Sequence, residues 1–196
     1  MSDSAPEYAI NDLIAKRHSP FAFDNRAVPD RDLLALLEAA RWSASAGNEQ
    51  PWSYIVAKRE HAEQFEQMLG CVAEVNLSWA QQAGVLIVGC VRTTQPGTGV
   101  RYETAEHDLG LASANLVFEA TARGIGVHQM TYIDREKLRA LYRIPEDVKV
   151  LTMLAIGYER HGGDTKRRSR KPLESFVFGR SWAHASPLLN AHAHRI

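Results

Sequence analysis

The chain has 196 residues, enough for one domain with a substantial buried core. Its 23 Lys and Arg balance its 23 Asp and Glu, so the formal net charge is zero and nothing argues electrostatically for nucleic acid or an anionic membrane. Residues 1–7 are polar and acidic, which predicts no signal peptide, and the longest apolar run, 85–91, is far too short to span a bilayer. Two cysteines, Cys71 and Cys90, are too few for a disulfide scaffold and lack C-x-x-C spacing. They read as buried small hydrophobes in a reducing, cytoplasmic setting.

Ile10, Leu13 and Ile14 give helical spacing for a first helix ending near Arg17. Pro29-Asp30 starts a second, with Asp30 as N-cap and Leu33, Leu34, Leu37 and Ala40 as its apolar face. A polar loop, 43–52, separates it from a short apolar strand at 54–57. A third helix is expected over 60–72, with Phe65, Met68, Leu69 and Val72 inward, and a short fourth over 75–82. Residues 84–91 read as a buried strand, being short, apolar and rich in Val and Ile. The longest helix spans 102–123. It is apolar on most sides and so is expected to be buried on most sides. Gly124 ends it, 126–130 is a strand, and Asp134 caps a further helix carrying Leu138 and Leu141. The segment 148–158 is the best strand signal in the chain. A basic loop, 159–171, and a tail without clear periodicity follow. Helices and strands mix without regular βαβ alternation, which argues an α+β fold in one domain covering residues 1–196.

Three short elements carry the chemistry. The loop Ser43-Ala44-Ser45-Ala46-Gly47-Asn48-Glu49-Gln50-Pro51-Trp52 offers several neutral hydrogen-bonding groups on a flexible backbone. Such groups suit the polar edge of a planar heterocycle better than a metal or a nucleic acid. Arg17-His18-Ser19 closes the first helix. Near the C-terminus stands Arg168-Ser169-Arg170-Lys171-Pro172-Leu173-Glu174, where Arg168 and Arg170 would share one side of an extended segment. If the fold unites them with Arg17, the three guanidinium forks make a pocket suited to a terminal phosphate, each contact contributing about 1.5–3 kcal/mol. By themselves they fit a solvated basic loop better than a phosphate site, since Lys166, Arg167 and Lys171 sit beside them. Other chemistries find no support. Gly124-Ile125-Gly126 is followed by Gln129, so G-x-G-x-x-G is incomplete, and G-x-x-x-x-G-K-[ST], G-x-S-x-G and H-E-x-x-H are absent.

Taken in order and spacing, these elements resemble the FMN-dependent nitroreductase family over roughly residues 9–177. The resemblance implies an α+β sandwich, a central mixed or antiparallel sheet flanked by helices, and a homodimer with flavin sites at the subunit interface. It implies that Arg17, His18 and Ser19 contact the phosphate or ribityl chain of FMN, with Arg168 and Arg170. It places Ser45, Ala46, Asn48 and Gln50 against the flavin of the neighbouring subunit. Asn76 matches a position at the pyrimidine edge, and Gln129, Met130 and Thr131 match the segment whose backbone passes flavin N5. Helix capping is the competing role for Asn76.

The implied activity is ping-pong oxidation of NAD(P)H with transfer to a nitroaromatic, a quinone or a similar small acceptor. The flavin carries the chemistry and the protein positions and tunes it, so no side chain is assigned as an acid or base. Three departures from the family stand out. Lysines common near flavin N1 and O2 are replaced at the aligned positions by Phe21 and Trp79, a common Gly-Gly beside N5 is Thr131-Tyr132, and a second serine is Ala46. The lost lysines motivate an alternative, a flavin-binding or sequestering protein with little turnover.

Overall fold

The two most apolar segments become the two central strands of one sheet. In the computed structural model, which describes residues 6–161 and 169–192, β2 (Val85–Arg92) pairs antiparallel with β4 (Val148–Gly157). Outside them lie β1 (Trp52–Lys58), against β2, and β3 (Gly126–Met130), against β4, so the order is β1-β2-β4-β3 with every pair antiparallel.

Both faces of the central strands are covered, which is why β2 reads as a continuous apolar run. Val85, Ile87, Leu154 and Ile156 enter a core shared with α2 (Asp30–Arg41) and α5 (Ala105–Ala122). Leu86, Val88, Met153 and Ala155 enter a second core. That core is covered by α3 (Ala62–Leu69), α4 (Glu74–Ala80) and α6 (Arg135–Tyr142), and the connecting segments add Phe23, Cys71, Val72 and Ile133. The sheet is thus the middle layer of an α+β sandwich.

Most expected elements are present within a few residues of their expected ends. Asp134 caps α6 as anticipated, its side chain accepting from the Lys137 amide at 2.9 Å. Gly124 follows α5 with φ +68°, a left-handed turn that glycine adopts without a Cβ penalty. Cys71 and Cys90 are buried, and burial pushes both thiols up, Cys90 to about 11, so both are inert hydrophobes.

Three expectations change. Leu34 is 64% exposed, and Leu36 takes its place in the core. The stripe of α2 that faces the core runs through Leu33, Leu36, Leu37 and Ala40, and Leu34 stands about 100° round from Leu33, on the solvent side. Asp30 is the first residue of α2 rather than its N-cap. Pro29 occupies the cap position without a side-chain bond, and the Asp30 carboxylate turns to Lys58 on β1. The first helix, α1 (Asp12–Lys16), is short and buries none of its residues. It leans on α5 and leaves Ile10 and Ile14 about half exposed.

By contact the chain divides into two compact units, Ile10–Thr165 and Met1–Ala9 with Lys166–Ile196. The second holds short 3-10 turns at Leu173–Ser175 and Pro187–His192 and a bridge between Phe178 and Ala185. No helix among the described residues is long and apolar enough to cross a membrane.

Candidate active site

β3 has a strand neighbour on one side only, and the segment after α1 covers part of its other flank. The contact is close because residue 126 is glycine. A Cβ there would meet the Pro20 ring at 2.7 Å, so any larger residue would lift the segment off the strand. The Pro20 carbonyl accepts from His128 Nδ1 at 2.8 Å, which puts the proton on Nδ1. Within the segment, Arg17 Nη1 donates to Ser19 Oγ at 3.4 Å, and His18 Nε2 lies 2.8 Å from the Glu159 carboxylate just beyond β4. Phe23 then pairs with Glu159 in an isolated antiparallel bridge. Arg17, His18 and Ser19 are thereby fixed at the edge of the sheet.

α4 runs alongside the same edge. At its start the Ala73 amide donates to the Tyr132 carbonyl at 3.1 Å, and Val72 bridges to Ile133. At its other end the Trp79 indole stacks on His128, with centroids 4.0 Å apart and planes 18° apart. Asn76 lies between these two ties. It sits inside the helix, whose N-cap is Ala73, so capping is not its role. Its Nδ2 is buried and has no hydrogen-bond partner. An unmet buried donor costs about 1–3 kcal/mol, which makes Asn76 a group awaiting an acceptor.

The positions where the family resemblance expects lysines are filled by an aromatic cluster. Phe21 meets His128 edge-on at 4.7 Å and Trp79 at 5.9 Å. His128 is a site residue that sequence reasoning missed. It carries no local signal, and the residues around it, Pro20, Phe21 and Trp79, are all distant in sequence. Burial holds its imidazole below the ordinary value, and the Arg17 charge acts the same way, against the Pro20 carbonyl. Because the folded pKa lies below the unfolded one, the stability carried by neutral His128 is complete above about pH 6.5 and is lost as pH falls below it. Melting temperature is therefore expected to drop between about pH 7 and 5.5, and less so in His128→Phe. Superimposable pH profiles for the two proteins would refute this.

The polar loop before β1 is a second cluster. Ser45 Oγ accepts from the Gln50 amide at 3.0 Å, and the Gln50 side chain donates to the Asn48 carbonyl at 2.9 Å. Gly47, Asn48 and Gln50 all have positive φ, at +59°, +56° and +49°. The Ala46 amide donates to Asp108 on α5, a residue that carries no sequence signal for such a role.

Gln129 and Thr131 are exposed, and Met130 points into the core beside α4. Thr131–Arg135 and Gly70–Ala73 line an open cavity of about 460 Å³. Tyr132 is 69% exposed at its mouth. Arg168 lies outside the described residues. Arg170 is exposed in the C-terminal unit, where its Nη1 donates to the Ser169 carbonyl at 2.9 Å.

The structure thus gathers Arg17, His18, Ser19, Asn76 and the 129–131 segment along one sheet edge, with the Asn76 amide donor unpaired. A nitroreductase-family model matches residues 14–158, and the chain belongs to the nitroreductase family, a family of oxidoreductases. A protein of Archaeoglobus fulgidus named "Putative NADH dehydrogenase/NAD(P)H nitroreductase" is 30% identical over 163 residues, covering 78% of this chain and 86% of its own. The 5,6-dimethylbenzimidazole synthase of Rhodospirillum rubrum is 26% identical over 160 residues, 70% of this chain and 76% of that protein. Among solved structures, an oxidoreductase containing FMN matches with a TM-score of 0.84 at 28% identity, covering 94% of this chain and 100% of that one.

Proposed function

We propose that this chain is an FMN-dependent NAD(P)H oxidoreductase that works as a homodimer in the cytoplasm. The observation that carries the reading is the buried, unpartnered Asn76 Nδ2 at the edge that also holds Arg17 and Ser19. The pyrimidine edge of a flavin offers the acceptors that this donor lacks, and the residues present fit the group.

In this reading Arg17 neutralises the phosphate, with His18 and Ser19 beside it, and the family resemblance assigns Arg168 and Arg170 to the same group. Asn76 orients the ring. The backbone at Gln129, Met130 and Thr131 lies along its N5 side. Ser45, Ala46, Asn48 and Gln50 approach from the second subunit. A bound FMN would supply the redox chemistry, hydride transfer from NAD(P)H and onward reduction of a second substrate. The protein leaves the cleft beside Thr131 and Tyr132 open, so donor and acceptor take turns in one place. That arrangement favours small planar acceptors such as nitroaromatics and quinones. Dimerisation is supported by apolar surface on two touching helices, Leu111 on α5 and Ile14 on α1, with Ile10 just before α1.

Steady-state kinetics with NADH or NADPH and two acceptors test the mechanism. Parallel double-reciprocal lines are expected for each acceptor, and intersecting lines would overturn the shared-cleft scheme. The aromatic cluster of Phe21, Trp79 and His128 favours a second reading, a flavin-binding protein with little turnover, since aromatic rings stand where the family resemblance expects lysines. That protein would bind FMN and oxidise neither nucleotide.

A further inference from the structure

Among the described residues Asp108 is the one charged side chain in the buried class, only 3% exposed, in the first turn of α5. A carboxylate so placed is costly unless hydrogen bonds replace its water. Its Oδ2 accepts from Thr104 Oγ1 at 3.0 Å and from the Ala46 amide at 3.3 Å. The first donor belongs to the same helix start. The second lies 62 residues earlier in the chain, in the polar loop.

That loop needs holding. Three of its four residues from Gly47 to Gln50 have positive φ, and two of the three, Asn48 and Gln50, carry a Cβ. With a Cβ such a backbone is strained, and it persists only where the surroundings over-determine it. A second tie comes from the same stretch as Asp108, where Tyr102 Oη donates to Glu49 Oε2 at 2.9 Å. Residues 102–108 therefore grip the loop at Ala46 and at Glu49, on either side of Asn48.

We propose that Asp108, backed by Thr104, is a positioning residue. It locks the strained 45–50 loop in the conformation that presents Asn48 and Gln50 to the cofactor, so that binding need not order the loop. The proposal rests on the FMN reading above. The geometry also gives it a consequence that does not depend on flavin: the clamp must slow opening of the loop in the cofactor-free protein.

The test uses the full-length protein and the variants Asp108→Ala, Asp108→Asn and Tyr102→Phe. Amide exchange at Ala46 and Gln50 is read without FMN, the FMN dissociation constant is read by flavin fluorescence, and melting temperature is followed throughout. Asp108→Ala is expected to speed exchange and raise the dissociation constant about tenfold each, the loss of one charge-assisted hydrogen bond. Asp108→Asn keeps an acceptor for the Ala46 amide and should stay within about threefold of the parent on both readouts, while Tyr102→Phe, which removes only the hydroxyl and keeps the ring packed beside Ala105 and Leu109, should raise the dissociation constant about threefold. A purely structural role would lower melting temperature in both Asp108 variants without sparing the asparagine. Unchanged exchange in Asp108→Ala overturns the clamp, and an unchanged FMN constant despite faster exchange overturns its link to the cofactor. Parent protein that binds no FMN overturns the flavin reading itself, and exchange then still decides whether Asp108 holds the loop.

Discussion

Replacing Phe23 by alanine is expected to remove about 3–5 kcal/mol of folding stability, the usual cost of deleting a fully buried aromatic ring. Phe23 is 0% exposed in the core beneath α3, α4 and α6. Its ring lies against Gly157, close enough that a Cβ there would meet Phe23 Cδ1 at 3.0 Å. Its carbonyl accepts from Arg160 Nη2 at 3.2 Å. Domains of this kind have only about 5–15 kcal/mol to lose, so the variant should be marginal. The damage should also reach the site, because Phe23 anchors the segment that begins at Arg17 and bridges to Glu159, the partner of His18. Urea denaturation gives the answer. A lower midpoint with an unchanged slope is expected, and a loss under about 1 kcal/mol would mean that the segment is held by other contacts.

Arg17→Ala should weaken FMN binding by about ten- to a hundredfold while leaving the melting temperature of the cofactor-free protein nearly unchanged. The size follows from one lost charge-assisted contact of about 1.5–3 kcal/mol. The small effect on stability follows from position, since Arg17 is only half-buried at the end of a helix that buries none of its residues. Arg17→Lys should recover part of the affinity, because the charge returns without the planar fork. Equal affinity in parent and Arg17→Ala would move the phosphate elsewhere. His128 offers a second readout of the same event. Arg17 holds its imidazole down, so an anion bound at Arg17 should relieve that effect and raise the His128 pKa.

Local signals in the sequence carried the framework. β2 and β4 are legible because both faces are buried and the residues are apolar throughout. Asp134 and Gly124 are legible because caps and left-handed turns act over three or four residues. The exchange of Leu34 for Leu36 could not be read, because both fit a helical stripe and only the packing of α2 chooses between them. Asp30 looks like a cap, yet its carboxylate is claimed by Lys58, which is 28 residues distant. The same holds for the residues missed at the site. His128 acquires its role from Pro20, 108 residues earlier, and Asp108 from Ala46. Motifs located Arg17, Asn76 and the polar loop, but the residues that position them are joined only by tertiary structure.

The visible absorption spectrum of the purified protein, supplied with FMN and then with NADH or NADPH in the absence of oxygen, tests the central claim most directly. A bound-flavin band that bleaches on adding the nucleotide is the predicted result. A band that persists with both nucleotides would contradict the oxidoreductase assignment in favour of a flavin carrier. The absence of any bound band would contradict the assignment of this sheet edge to FMN altogether.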